Sequence, residues 1–201
     1  IDLEFPGLHP KILPVKSVGV QGDERTYRRP VVVDPDVHNW NSLRSISPKI
    51  TNTFSEINRV LVKVVAAPPR GGSGNYDMKS DMSIDNLSVT SGYLTPDRIS
   101  KLKEADKLVM DFIYGLEKEG LLKNTPVWQC PTVLLPLSVN CEGKESIVIR
   151  PVSSTEAMTA NFTELPWDKV RELAKEILKI EGISAVFYDI TNKPPGTIEW
   201  E

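Results

Sequence analysis

ISAVFYDITNKPPGTIEWE, residues 183–201, reads as a strand that runs out into an exposed, conformationally restricted tail. Val186, Tyr188 and Ile190 alternate with Phe187 and Asp189 in a β-branched and aromatic run, the pattern of a strand. Pro194 and Pro195 fix φ and remove two amide donors, so the ladder has to stop near Asn192. Lys193, a rigid Pro-Pro spacer, Gly196, Ile198, Glu199, Trp200 and Glu201 follow, and a terminus free to fray rarely carries such residues. Two readings compete. In one, Trp200 and Ile198 tuck the end onto the body and leave Lys193 and the glutamates in solvent. In the other, the prolines project Lys193 and the terminal acids into a ligand site at low entropic cost.

Working outward, the same strand-plus-double-proline pattern occurs earlier, as INRVLVKVVAAPP at 57–69. Each occurrence is preceded by two strand signals and a helix signal. In the first, KILPVKSVGV at 11–20 turns through Gly22-Asp23 to PVVV at 30–33. Trp40, Leu43, Ile46, Ile50 and Phe54 then follow a helical spacing behind Asn39 as N-cap, with Pro48 implying a kink or a break into two helices. In the second, PTVLLPLSV at 131–139 and SIVIRPV at 146–152 lead into LPWDKVRELAKEILKI at 165–180. There Val170, Leu173, Ala174, Ile177 and Leu178 form one apolar face, Pro166 suits the first turn and Gly182 ends the helix. Leu135-Pro136-Leu137 echoes Leu13-Pro14-Val15.

The fold class expected is therefore α+β: two repeated β-β-α-β units, residues 1–69 and 126–201, with small sheets packed against helices and related by a pseudo-twofold axis. Between them, 70–92 is small, polar and without period, which reads as a flexible linker. Residues 93–125 form a connecting helix region, opened by Thr95-Pro96 and running to about Glu119 with Leu102, Ala105, Val109, Ile113 and Leu116 on one face.

Composition narrows the function. A chain of 201 residues, 40% hydrophobic and 25% charged, with a net charge of −3, is ordinary for a globular protein and does not suit a general nucleic-acid binder. The RTYRR cluster at 25–29 therefore needs another explanation. No apolar run approaches the roughly 20 residues that span a bilayer, so a cytoplasmic protein without membrane contact is expected. Cys130, Cys141, His9 and His38 lack metal-ligand spacing, so neither a disulfide nor a metal site is expected.

Three stretches carry chemistry. In SVGVQGDERTY, 17–27, glycines permit close backbone approach, Gln21 offers a donor and an acceptor, and Arg25 is a fixed cation. RPVSSTEAMTANFTELP, 150–166, offers hydroxyls to a loop, with Met158 and Phe162 expected to pack beneath it and Arg150 expected at a strand edge, paired with a carboxylate. The tail is the third. All three resemble segments of the glutamine-hydrolysing GMP synthetases, the tail nearly residue for residue. The second unit lacks the glutamine loop (VNCEGKES) and the first lacks the tail (AAPPRGGS), so each is kept once.

The resemblance implies the carboxyl-terminal region of a GMP synthetase with a duplicated dimerisation domain. In that family the full enzyme hydrolyses glutamine, activates xanthosine monophosphate (XMP) with ATP and magnesium, and transfers ammonia to give GMP. It implies that Gln21, Lys193, Ile198 and Glu199 bind XMP, with Arg25 as an additional candidate, and that no catalytic residue lies in this stretch. Partners implied are XMP and the ATP pyrophosphatase and glutaminase domains of the same enzyme, with the two units forming an intramolecular pseudo-dimer that leaves the chain monomeric. The sequence departs from the full pattern by omission: it has no SGGxDS-like pyrophosphate loop and no Cys/His/Glu glutaminase set, so the chain by itself is expected to be inactive and to hold no cofactor. The alternative is a purely structural dimerisation module with no substrate contact.

Overall fold

The computed structural model describes residues 5–22, 24–68 and 84–201, without the side chain of Gln21. Its elements in order are β1 (Lys11–Ile12), β2 (Ser17–Gln21), β3 (Glu24–Val33), α1 (Trp40–Thr53), β4 (Ile57–Ala66), β5 (Leu87–Val89), α2 (Pro96–Lys118), β6 (Thr132–Leu135), β7 (Leu137–Val139), β8 (Glu145–Ile149), β9 (Val152–Ser153), β10 (Asn161–Phe162), α3 (Trp167–Ile177) and β11 (Ile183–Asp189). The fold is α+β.

The largest sheet runs β1-β3-β4-β11-β8-β6, with β2 also paired to β3. Inward from either edge the order of pairings is the same: an antiparallel pair, β1–β3 or β6–β8, then a parallel pair, β3–β4 or β8–β11. α1 connects the first parallel pair and α3 the second. β4 and β11 meet antiparallel at the centre. Prolines interrupt corresponding places. Pro14 lies between β1 and β2 and Pro136 between β6 and β7, each dividing what reads as one continuous strand in the sequence, because a residue without an amide proton cannot extend the ladder.

Both faces of the central strands are covered, so every residue of β11 is buried. On one face, Leu43 and Ile50 of α1, Val109 and Leu116 of α2, and Val170 and Ile177 of α3 pack with Val60, Val62, Ile147, Val186 and Tyr188. On the other, Leu13, Ile84, Leu137 and Trp200 close over Val32, Leu61, Val148 and Phe187. Alternation along β11 thus assigns Val186 and Tyr188 to the helical layer and Phe187 to the opposite one. The Trp40 indole N–H donates to Leu165 O at 3.1 Å, which ties α1 to the approach to α3.

Local signals act as the sequence predicts at most helix ends. Asn39 caps α1, its side chain accepting from Asn41 N at 2.9 Å and Ser42 N at 3.3 Å, and Thr95 caps α2 by accepting from Arg98 N at 3.2 Å. The α2 stripe buries Ala105, Val109, Ile113 and Leu116 as expected. Of the kink or break expected at Pro48, α1 shows no break: it continues through Pro48, which removes a single intrahelical bond while Leu43 and Ile50 stay anchored in the core. Of the linker expected over 70–92, residues 70–83 lie outside the described residues, and Leu87–Val89 forms β5 on β7.

Candidate functional site

The tail leaves β11 into a network that fastens it at every step, which corrects the expectation of an exposed terminus. Lys193 N donates to Ala160 O at 2.7 Å, Ala160 N returns a bond to Lys193 O at 3.1 Å, and Gly196 N closes on Asn192 O at 3.1 Å around the two prolines. The chain then runs alongside β2. Val20 N donates to Pro195 O at 2.7 Å and Val18 N to Trp200 O at 2.9 Å, with Gly19 opposite Gly196. This approach requires glycine at 19, because a Cβ there would lie 2.7 Å from Pro195 O and 2.9 Å from the Asn58 amide nitrogen.

Beneath the tail sits a buried ionic cluster drawn from both halves of the sheet. One oxygen of Asp189 accepts from Arg59 at 3.0 Å, Arg150 at 2.9 Å and the Trp200 indole N–H at 3.1 Å, while the other accepts from Thr191 N at 2.9 Å. All three charged side chains are fully buried, and one carboxylate faces two guanidiniums. The surplus positive charge is met by carbonyl dipoles of the tail. Arg59 donates to Thr197 O at 3.2 Å, Glu199 O at 2.7 Å and also Val18 O at 3.0 Å, and Arg150 donates to Thr197 O at 2.8 Å, Ile198 O at 2.9 Å and Thr191 O at 3.0 Å. The Arg59 guanidinium also lies 4.8 Å from the Trp200 ring centre, a cation–π contact.

Burial acts to raise the Asp189 pKa, but Arg150 and Arg59 overcome it and hold the carboxyl below its ordinary range. Burial lowers Arg59 to about 10, with Asp189 opposing and Arg150 adding to the shift, so it stays charged at neutral pH. Arg150 is therefore not the strand-edge residue expected. It follows β8 inside the sheet, and its carboxylate is Asp189. Arg59 and Asp189 are passed over by the sequence reading, although a charge set within an apolar strand pattern, as in INRVLVKV and VFYDI, is the available signal.

The predicted site residues fall at two ends of this network. Ile198 is half-buried and Glu199 exposed, and both present their side chains from the stretch bonded to β2. Gln21 lies at the tip of the same hairpin, paired through its backbone with Glu24, and Arg25 is exposed opposite Val20. Lys193 lies at the other end, against the 157–160 segment, where its amine donates to Ala157 O at 2.6 Å. Met158 beside it is 75% exposed rather than packed as expected, whereas Phe162 is buried. The short β9–β10 ladder separates the fates of these two side chains by turning the loop outward before Ala160. Gln129, which nothing in its local sequence marks, is exposed in this same ladder system, exchanging backbone bonds with Val152 of β9.

Residues 115–200 match the family described as GMP synthase C terminal domain. Over 195 residues, 97% of this chain, the protein is 42% identical to a protein named probable GMP synthase (glutamine-hydrolyzing) from Leptospira interrogans, of which that region is 29%. A protein of the same name from Caenorhabditis elegans is 32% identical over 208 residues, covering 94% of this chain and 26% of the relative. A GMP synthase (glutamine-hydrolyzing) from Phenylobacterium zucineum is 42% identical over 117 residues, which are 55% of this chain and 22% of that protein. The chain thus spans less than a third of the length of these relatives. Residues 115–200, which carry the proline-bounded tail, thus belong to the GMP synthase C-terminal domain family, and the chain is similar along 97% of its length to a protein named as a probable GMP synthase.

Proposed function

We propose that the chain serves as the carboxyl-terminal region of an enzyme that converts XMP to GMP with ATP and glutamine, and that its tail and glutamine hairpin hold XMP. The observation that carries this reading is the bonding of residues 195–200 to residues 18–20, which joins the hairpin of Gln21 to the stretch bearing Ile198 and Glu199. Lys193 keeps two amine donors beyond its bond to Ala157 O, and these suit the nucleotide phosphate. Glu199, ionised, would repel a phosphate. It orients a lysine, a ribose hydroxyl or a backbone group, with Ile198 packed alongside and Arg25 as an additional cation.

Among the described residues no group of three or more His, Cys, Asp or Glu side chains is placed to hold a metal ion. The ATP pyrophosphatase and glutaminase steps belong in this reading to the remaining length of the relatives, and the chain alone is inactive. In the full-length enzyme, Lys193→Ala is expected to raise the KM for XMP about tenfold or more, leaving glutamine hydrolysis intact. An unchanged KM after removal of residues 193–201 would instead favour the purely structural module. That second reading draws on the buried Trp200 and the carbonyls held by Arg59 and Arg150, which already give the tail a structural purpose.

The same proposal covers assembly. The half containing β1, β3, β4 and α1 and the half containing β6, β8, β11 and α3 meet through β4 and β11, as two copies related by a pseudo-twofold axis would meet between subunits. The 201-residue chain is then monomeric, because its association is intramolecular. Sedimentation equilibrium should return a mass near 22.4 kDa, and a tight dimer would contradict the assignment. No helix among the described residues is long and apolar enough to cross a membrane, which accords with the cytoplasmic location this reading implies.

A further inference from the structure

The arginine cluster of β3 has no role in the tail network. Arg28 and Arg29 instead line an open groove of about 500 Å³ at the corner of β1, β3 and the start of β4, together with Ile12, Lys16, Thr26, Tyr27, Glu56 and Ile57. We propose that this groove is a second binding site, for a small phosphate-bearing ligand that carries an aromatic ring. The proposal is independent of the XMP reading, since it uses none of Lys193, Ile198 or Glu199.

Charge is the first argument. Lys16, Arg28 and Arg29 face a single acid, Glu56, and among the described residues none of the four makes an ion pair. Cations gathered around one pocket repel one another unless an anion neutralises them, and a guanidinium pair with a lysine suits the oxygens of a phosphate. Arg28 is oriented in advance, because its guanidinium donates to the Ser55 carbonyl. The second is the ring. Tyr27 is 62% exposed on the groove, and Ile12 and Ile57 add apolar wall, so a planar group can stack where the phosphate cannot reach. The volume lies within the roughly 300–1,000 Å³ usual for small-ligand sites.

Titration of the isotopically labelled chain with adenosine 5′-monophosphate, followed by amide NMR at low salt, tests this. Saturable shifts are expected at Lys16, at 26–29 and at 56–57, with inorganic phosphate moving the same amides more weakly. The Lys16→Glu/Arg29→Glu variant should bind the nucleotide about tenfold or more weakly. Shifts confined to 157–160 and 193–199, or absent up to millimolar nucleotide, would overturn the site. Equal affinity for phosphate and nucleotide would overturn the role given to the ring. Because the unmodified chain supplies the shift map, a variant that fails to fold leaves the test intact.

Discussion

Asp189→Asn is expected to destabilise the folded chain by about 3–5 kcal/mol, measured as the shift in a denaturant-unfolding curve. The reason lies in the asymmetry of the cluster. Removing the carboxylate charge leaves Arg59 and Arg150 fully buried and facing each other with only carbonyl dipoles to balance them. Asparagine keeps the volume but has a single acceptor oxygen, so it can accept from Thr191 N or from the Trp200 indole and not from both, and the loss reports the charge and one acceptor rather than packing. A loss below about 1 kcal/mol, the scale of an ordinary hydrogen bond, would show that the tail carbonyls alone satisfy both guanidiniums.

The same group sets an acid limit. Because the folded-state pKa of Asp189 is depressed, its contribution is fully present above the ordinary carboxylate value of about 4 and is lost as pH falls from there through the depressed folded value. The Asn variant should lack this part of the acid unfolding transition, while the difference between the two proteins stays constant from about pH 5 to 8.

Trp200→Ala is expected to cost a similar about 3–5 kcal/mol, the range for truncating a buried aromatic. Trp200 is 5% exposed, packs over the face that holds Leu61 and Phe187, donates to Asp189 and offers its ring to Arg59. Its carbonyl also receives the Val18 amide, so loosening the side chain should free the tail from β2. Hydrogen exchange at the Val18 and Val20 amides should therefore accelerate beyond what the global loss of stability accounts for. Trp200→Phe restores the packed ring but not the indole donor, and should recover most of the stability with a residual loss of about 1 kcal/mol. Full protection of both amides in Trp200→Ala would mean that the backbone ladder with the hairpin holds without its anchor.

These two residues show how differently the chain's features were legible. The stripe Ala105, Val109, Ile113, Leu116 and the face Val170, Leu173, Ala174, Ile177 could be read directly, because a helix repeats every 3.6 residues and its period reports the side turned to the core. The caps Asn39 and Thr95 were equally plain, since each acts on amides two or three residues away. β11 was recognisable as a strand, and the stop imposed by Pro194 and Pro195 is a property of proline itself. Local chemistry thus determined the elements, their ends and the likeness of the two halves.

The partners of Asp189 were another matter. Arg59 lies 130 positions away in sequence and reaches it only because β4 and β11 pair at the centre of the sheet, while Arg150 arrives through β8 on the other side. Alternation marks which face a side chain takes, but it carries no information on which strand will be the neighbour. The tail repeats the lesson. Proline and glycine could be read as a rigid, turning terminus, yet its course along β2 depends on a groove that exists only once Gly19, Asn58 and Trp200 are assembled. Pro48 points the same way, since tertiary burial of Leu43 and Ile50 outweighs the single helical bond its ring removes. Short-range periodicity decided what each segment is; the tertiary structure alone decided which buried charges meet and where the tail lies, because both depend on contacts between strands far apart in the chain.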